Sequence, residues 1–238
     1  ASCVPPSPPV PVPPSHVWGS AGSGDGEFTK PRAVAADGRG HVYAVDMTGR
    51  IQKFTEDGRF LLSWRTPAIA RGRPTDLECD ADGNVIVADT HYQTIRVYSP
   101  EGRELRIWGS EGTGPGQFQF PCGVTLDREG FIYVSEFGGN DRIHKFTPDG
   151  RVVAVWGSFG EAPGQFNRPQ DLAVADDGSI WVADSCNHRI VVLNADGSFR
   201  ACWSGDGGAV LRYPYDVQLE RDGALIVCEY GNHRLQRF

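Results

Sequence analysis

The stretch WGSFGEAPGQFNRPQDLAVADDGSIWVADSCNHRIVVLNADGSFRACW, residues 156–203, decides the fold, because most of the chain is a variation on it. Five copies begin at Trp18, Trp64, Trp108, Trp156 and Trp203, at intervals of 46, 44, 48 and 47 residues. A period of this length with short strand-like runs is typical of a β-propeller, in which each repeat forms one four-stranded sheet, or blade.

Each copy contains four runs that are too short for helices and suited to strands. In this copy they are residues 171–175, 179–184, 189–193 and 198–203. Asp-Gly or Glu-Gly pairs, which supply the positive φ angles of tight hairpins, separate the runs. Nine such pairs lie between runs, at 37–38, 57–58, 82–83, 101–102, 129–130, 149–150, 177–178, 196–197 and 222–223. The sequence therefore predicts an all-β protein of five four-stranded blades.

The two ends of the repeat region suggest how the ring closes. The fifth copy stops after its third strand at Phe238, and residues 16–19 have the form of a fourth strand. The sequence predicts that this N-terminal strand completes the last blade, because closure removes an open sheet edge. The alternative is a part of a six-bladed propeller.

Residues 1–15 form a proline-rich leader or tether ahead of the propeller domain, residues 16–238. Seven of these fifteen residues are proline, which excludes a helix and favours an extended spacer. Ala1-Ser2-Cys3 resembles the end of a bacterial lipoprotein signal, which would make Cys3 a lipidation site. The alternatives are a lipid-anchored or otherwise extracytoplasmic protein and a plain linker with an incidental cysteine.

Charge and composition restrict the classes of partner. The chain has 23 basic and 30 acidic residues, a net charge of −7, whereas nucleic-acid binders normally carry a basic face. Nucleic acid is therefore an unfavoured partner. An RNA-binding alternative rests on Arg65, Arg71 and Arg73 in the loop before Pro74. No apolar run is long enough to span a membrane as a helix.

Cysteine and histidine spacing does not indicate a metal site. The six cysteines include no C-x-x-C pair, so no zinc or other cofactor is expected. A disulfide is compatible with an exported protein. His188 and His233 occupy one repeat position, which favours a role in the turn over metal binding or proton transfer.

At these turns the chain resembles the NHL-repeat family. Asn187-His188-Arg189-Ile190 and Asn232-His233-Arg234-Leu235 match its Asn-His-Leu-like turn, and Gly-x-Phe-x-x-Pro loops end at Pro31, Pro121 and Pro169. Repeats two and five depart from the loop pattern. The resemblance implies a propeller, usually of six blades, that acts as a binding module.

The chain, including its turn at Val182 to Ile190, also resembles the propeller of peptidyl-hydroxyglycine amidating lyase, which binds zinc through histidines, some of them placed directly after the first-strand proline. None of the five corresponding residues is histidine: Arg32, Thr75, Cys122, Gln170 and Tyr215. A non-catalytic role is therefore favoured. A metal-dependent lyase or hydrolase is the alternative.

Acid–arginine pairs recur at the second hairpin of the repeats. Asp46, Asp89, Glu136, Asp184 and Glu229 end the second strands, and all but Asp89 are followed by an arginine within four to six residues: Arg50, Arg142, Arg189 and Arg234. We expect each pair to brace its blade, because a guanidinium can hold a carboxylate through two hydrogen bonds. Repeat two has Thr94 instead, so Asp89 is expected to be the unpaired acid.

The loops at one end of the channel form the predicted binding face for a protein or small-molecule ligand. The candidate residues there are Arg32, Asp76, Tyr92, Phe137, Gln170, Asp171, His188, Tyr215, Asp216, Tyr230 and His233. Asp76, Asp171 and Asp216 share one position, two residues after the proline. They are expected to cap loop amides, with cation binding as the alternative.

Overall fold

The computed structural model of the protein describes residues 16–205, 210–220 and 222–238. These residues form five antiparallel blades, which confirms the predicted all-β propeller. The leader, residues 1–15, and its Cys3 lie outside the described residues. No helix in the described part is long and apolar enough to cross a membrane.

The blades follow one another along the chain, each with its first strand innermost. Blade 1 contains β3 (Pro31–Ala36), β4 (His41–Asp46), β5 (Arg50–Thr55) and β6 (Phe60–Arg65), and a short parallel pair precedes it, β1 (Ser20–Ala21) and β2 (Glu27–Phe28). Blade 2 contains β7 (Asp76–Cys79), β8 (Val85–Asp89), β9 (Thr94–Tyr98) and β10 (Glu104–Trp108). Blade 3 contains β11 (Phe120–Leu126), β12 (Ile132–Phe137), β13 (Arg142–Phe146) and β14 (Val152–Trp156). Blade 4 contains β15 (Pro169–Val174), β16 (Ile180–Asp184), β17 (Arg189–Leu193) and β18 (Phe199–Trp203), and blade 5 contains β19 (Pro214–Leu219), β20 (Leu225–Glu229) and β21 (Arg234–Arg237).

The predicted hairpin turns are confirmed. The glycine of every one of the nine acid–glycine pairs has a positive φ, between 64° and 85° or at 89° for Gly150. The glycines between third and fourth strands have a second requirement, because the tryptophan of the preceding blade lies against them. A Cβ on Gly102 would come within 2.8 Å of the Trp64 ring, and one on Gly197 within 2.1 Å of the Trp156 ring.

Four apolar clusters hold the blades together, one between each pair of consecutive blades. Each cluster contains the second residue of the third strand of one blade. It also contains a residue from the middle of the first strand of the next blade. Ile190 and Val217 are such a pair between blades 4 and 5. Burial of branched side chains of this size contributes about 1.5–3 kcal/mol each, so these clusters are the main stabilising feature of the fold.

The predicted closure by the N-terminal strand is wrong. In the part of the chain that the structure describes, blade 5 has three strands, and residues 16–19 pair with none of them. Trp18 lies instead against blade 1, with its ring centroid 6.5 Å from that of Phe54. Blades 1 and 5 do not cover each other: Val34 is 68% exposed and Leu235 is 70% exposed, whereas their counterparts inside the arc are at most 3% exposed. The strand therefore stays with blade 1, and the six-bladed alternative stays a prediction.

Candidate functional site

The NHL-type turn of blade 4 ties its hairpin to the loop that enters the blade. Asp184 is buried, and its Oδ2 accepts hydrogen bonds from Arg189 Nε at 2.7 Å and Asn187 Nδ2 at 2.8 Å. The same guanidinium also donates to the carbonyls of Glu161 and Gln165. One arginine thus neutralises a buried acid and satisfies loop carbonyls, and such charge-assisted hydrogen bonds are among the stronger ones in proteins.

Three other blades repeat this brace, as the sequence predicts. The acid–arginine pairs are Asp46–Arg50, Glu136–Arg142 and Glu229–Arg234. His188 and His233 have the turn role expected of them, with φ angles of 55° and 52°. These residues fix the position of the loops, and their role is therefore structural.

The prediction that Asp89 is unpaired is wrong, because an arginine two residues further along the third strand replaces the missing one. Arg96 Nε donates to Asp89 Oδ2 at 2.8 Å, and the guanidinium also pairs with Glu104. Arg96 and Thr94 lie on the same face of β9, since side chains alternate along a strand. Because Thr94 stands where the other repeats have an arginine, Asp89 Oδ1 and Thr94 Oγ1 are buried without a partner in the described residues.

The inner strands bring six of the predicted site residues to one cavity of about 30 Å³ at the channel mouth. Its lining includes Arg32, Asp76, Gln170, Asp171, Tyr215 and Asp216. The remaining lining residues are Ala33, Thr75 and Cys122. A space of this size can hold a water molecule or a small ion but no larger ligand.

Two carboxylates of this cavity link neighbouring blades. Asp76 Oδ2 accepts a hydrogen bond from the Val124 amide at 2.8 Å, and Asp171 Oδ2 accepts one from the Val217 amide at 2.9 Å. Both amides belong to first strands of the following blade and not to loops, so the two carboxylates bridge blades, which differs from the loop capping expected of them. Withdrawal from water, together with the nearby charges of Glu78 and Asp216, raises the pKa of Asp76 to about 8. Burial and the charges of Asp76 and Asp216 likewise raise the pKa of Asp171.

A larger groove of about 330 Å³ adjoins this cavity between blades 4 and 5. Its lining consists of Arg168, Gln170, Ser185, Cys186, Tyr213, Tyr215 and Tyr230. Gln170 and Tyr215 line both spaces, so the groove opens onto the channel mouth. All three tyrosines are exposed, Tyr230 to 70%, so three large aromatic side chains lie at the surface of one groove.

The backbone presents this groove in a fixed shape. Arg168 and Tyr213, which precede the first-strand prolines of blades 4 and 5, have left-handed φ angles of 60° and 49°. Such angles cost free energy in residues other than glycine and persist where neighbours enforce them. The Tyr213 amide donates to His188 Nδ1 at 3.1 Å, and the Arg168 amide donates to Asp141 Oδ1 at 2.6 Å.

The groove keeps unused hydrogen-bond donors. Within the described residues no hydrogen bond is formed by the amide side chain of Gln170, and none by the hydroxyl groups of the three tyrosines. The Arg168 guanidinium lies over the Phe137 ring at 4.8 Å, a contact that leaves its N–H groups available. A ligand in the groove would therefore meet aromatic faces and donors.

Four of the predicted site residues do not reach the groove or the cavity. Tyr92 accepts a hydrogen bond from the Arg71 amide, and Phe137 stacks on Phe120. His188 packs edge-on against Tyr213, and His233 lies beside Tyr230 with ring centroids 6.4 Å apart. These side chains support the loops that form the site.

Sequence reasoning missed Arg168 and Tyr213, which lie immediately before the proline. The candidate residues of the first strands were sought only after the proline. No signal in the sequence marks them, because a residue before proline is ordinarily extended, whereas both of these have left-handed φ angles.

The loop proposed for RNA binding turns two of its three arginines towards the protein. Arg65 donates to the Thr48 carbonyl, and Arg73 donates to the Ile69 carbonyl. Arg71 has no side-chain hydrogen bond within the described residues. A hydrogen bond to a carbonyl does not remove the charge of an arginine, so the RNA-binding alternative for this loop stays a prediction.

Among the described residues no group of three histidine, cysteine or acidic side chains is arranged to hold a metal ion. The five cysteines there are free thiols: Cys79, Cys122, Cys186, Cys202 and Cys228. Burial raises the pKa of the Cys122 thiol to about 12, so this thiol in the channel cavity stays protonated.

The braced turns and the blade order define a β-propeller built from NHL-type repeats. Residues 166–193, the centre of the copy that decides the fold, match the family model described as NHL repeat. The chain thus contains an NHL repeat within a β-propeller, and the resemblance noted at its turns is confirmed.

Two curated proteins are similar to this chain over half of its length. One is the B-box type zinc finger protein ncl-1 of Caenorhabditis elegans, 30% identical over 127 residues, which are 50% of this chain and 14% of that protein. The other is the protein brain tumor of Drosophila melanogaster, 29% identical over 136 residues, which are 50% of this chain and 12% of that protein. The chain thus matches only a small part of either relative.

Solved structures share the fold at low identity. A streptogramin B lyase structure superposes with a TM-score of 0.69 at 18% identity, over 89% of this chain and 69% of that one. A chain in a nidogen/laminin complex superposes with a TM-score of 0.66 at 20% identity, over 84% of this chain and 72% of that one. Identities this low show the architecture alone.

Proposed function

We propose that this propeller is a binding module that recognises a peptide segment of a protein ligand in the groove between blades 4 and 5. The observation that carries the proposal is the groove itself, where Tyr213, Tyr215 and Tyr230 are exposed beside the unused donors of Arg168 and Gln170. Tyrosine and arginine are the residue types that dominate binding at protein interfaces. The nidogen/laminin complex supports the proposal as an example of the same fold in a protein assembly.

The neighbouring charges favour a peptide over a nucleic acid. Asp171 and Asp216 lie in the cavity that shares Gln170 and Tyr215 with the groove. In their ionised forms these carboxylates would repel a phosphate backbone bound there but not an uncharged peptide. The net charge of −7 acts in the same direction.

The test is to select phage-displayed random dodecapeptides on the full chain and measure their affinity for variants by fluorescence anisotropy. Tyr230→Ala should weaken binding about tenfold or more, since an interface tyrosine contributes on the order of 2 kcal/mol. Phe159→Ala is the matched control, because Phe159 is also an exposed aromatic residue, 58% exposed, but lies outside the groove. Equal affinities for both variants would contradict the proposal.

A second candidate function, a lyase, is favoured by one observation. Asp76 has a pKa of about 8 at the channel mouth, which suits a group that takes up and releases a proton near neutral pH. The fold likeness to streptogramin B lyase suggests the substrate to test. If the chain consumes a streptogramin B in a chromatographic assay and Asp76→Asn abolishes the reaction, the lyase function replaces binding as the conclusion.

A further inference from the structure

The chain contains a segment whose chemistry matches the groove. We propose that the groove between blades 4 and 5 binds the proline-rich residues 1–15 of the same chain, an inference that rests on the proposed peptide-binding function. The propeller would then be occupied by its own leader until another proline-rich ligand displaces it.

The first argument is the pairing of donors and acceptors. Seven of the fifteen leader residues are proline, which has no backbone N–H, so such a segment offers mainly carbonyl acceptors. In the polyproline II conformation these carbonyls have no internal partners. The free groups of the groove include the Arg168 guanidinium, the Gln170 amide and tyrosine hydroxyls, all of which can donate. A ligand rich in backbone N–H groups would use fewer of them.

The second argument is shape and polarity. Grooves lined by aromatic residues are the sites at which proline-rich peptides dock in other proteins, because proline rings pack on aromatic faces and the stiff segment loses little entropy. Tyr213, Tyr215 and Tyr230 supply three such faces in one groove. The leader has no charged side chain, so the nearby carboxylates of Asp171 and Asp216 do not oppose its approach.

The third argument is reach. The leader joins the described residues at His16, and Trp18 is held against Phe54 and Gly58 of blade 1. Phe54 lies level with Ala36 on the inner strand β3, two strand spacings or about 10 Å away, and Arg32 lies four residues or about 13 Å further along β3. Arg32 of β3 already lines the same cavity as Tyr215. Fifteen residues of polyproline II extend about 46 Å, which is ample for the path from blade 1 to the groove.

The experiment uses a synthetic peptide of residues 1–15, labelled with a fluorophore on its Cys3 thiol, and fluorescence anisotropy as the readout. It is titrated with the wild-type chain and with a full-length chain in which the seven leader prolines are replaced by serine. This variant, whose leader alone lacks proline, is called the proline-free chain, and it should bind the peptide. The affinity of the wild-type chain for the peptide should be lower by about tenfold or more. The reason is that its own leader competes at an effective concentration in the roughly millimolar range.

Groove variants made in the proline-free chain locate the site. Tyr230→Ala and Gln170→Ala should each weaken peptide binding, whereas Phe159→Ala should not. Gln170 is almost buried, so its variant is compared with the parent by urea unfolding to exclude a loss of folding. Tyr230 is largely exposed, and its variant keeps the test valid if the Gln170 variant is unstable.

Several outcomes would overturn the inference. They are no binding by the proline-free chain, equal binding by the wild-type chain, binding that Tyr230→Ala does not change, or displacement of the peptide by a single-stranded RNA decamer at low salt. Failure here differs from failure of the proposed function. If random peptides without proline bind in a Tyr230-dependent manner while the leader peptide does not, the binding module stands and the leader is excluded as its ligand.

Discussion

The interface between blades 4 and 5 and the open faces of blades 5 and 1 carry the same kinds of residue in different surroundings. Ile190 is covered completely by blade 5, whereas Leu235, at the same repeat position of blade 5, is exposed. Val217 is buried against blade 4, whereas Val34, its counterpart in blade 1, is exposed. The repeat thus specifies a contact surface, and only an adjacent blade makes that surface stabilising.

The polar links follow the same division. Asp171 reaches forward to the Val217 amide and Asp76 reaches forward to the Val124 amide. Asp216 holds the corresponding place in blade 5, and Val34 holds the place of the amide in blade 1, but no hydrogen bond joins them. Burial and hydrogen bonding therefore change together from the closed interfaces to the open faces.

The largest effect expected from this comparison is that of Ile190→Ala. The substitution removes a fully buried side chain between two blades and leaves a cavity, so the free energy of unfolding should fall by about 2–5 kcal/mol. Urea unfolding followed by tryptophan fluorescence measures it. A loss below about 1 kcal/mol would show that the interface between blades 4 and 5 contributes little to stability.

An intermediate effect is expected from pH. Because the pKa of Asp76 is about 8 in the folded protein and near 4 when unfolded, the folded state keeps a proton that the unfolded state releases. Stability contributed by this group is complete below about pH 4 and is lost as pH rises towards 8, on the order of 2–4 kcal/mol. Asp76→Asn keeps an oxygen that can accept from the Val124 amide and should flatten this slope.

Urea unfolding at several pH values between 5 and 8 checks this expectation. Asp25→Asn is the control, since Asp25 is an exposed loop residue. This variant should show the same dependence of the free energy of unfolding on pH as the wild-type chain. A slope that is the same in both variants would mean that the carboxylate of Asp76 titrates normally.

The smallest effect should come from the open face. Leu235→Ala makes the same kind of truncation as Ile190→Ala but at an exposed position, so the free energy of unfolding should change by about 0.5 kcal/mol or less. The same urea experiment applies. A loss comparable to that of Ile190→Ala would show that the face of blade 5 is covered in solution, and the comparison would then break down.

Local features of the fold could be read from the sequence because they repeat at short range. The hairpin glycines and the acid–arginine braces each depend on residues within one hairpin, and the structure confirms all nine turns and four of the braces. The brace of blade 2 was misjudged because Arg96 lies two residues beyond the repeat position and reaches the same acid along one strand face.

Features that depend on distant parts of the chain could not be read in this way. Closure requires blades 1 and 5 to pack on each other, and a repeat contains no information on whether its first and last copies meet. The groove depends on the left-handed backbone at Arg168 and Tyr213, which neighbouring residues such as His188 enforce through space. A residue pattern records which side chains are available but not which direction such a strained backbone turns them.

The arginine braces of blades 1, 3, 4 and 5 are each complete within their own blade, from the carboxylate through the guanidinium to the entering loop. Arg189, for example, contacts Asp184 and carbonyls of the loop that leads into the same blade. The loop of each of these blades is therefore held independently of the other blades. A different loop sequence in one blade would still be held by the arginine of that blade. Exchange of a single entering loop would accordingly change the binding specificity of one blade while the other blades keep their structure.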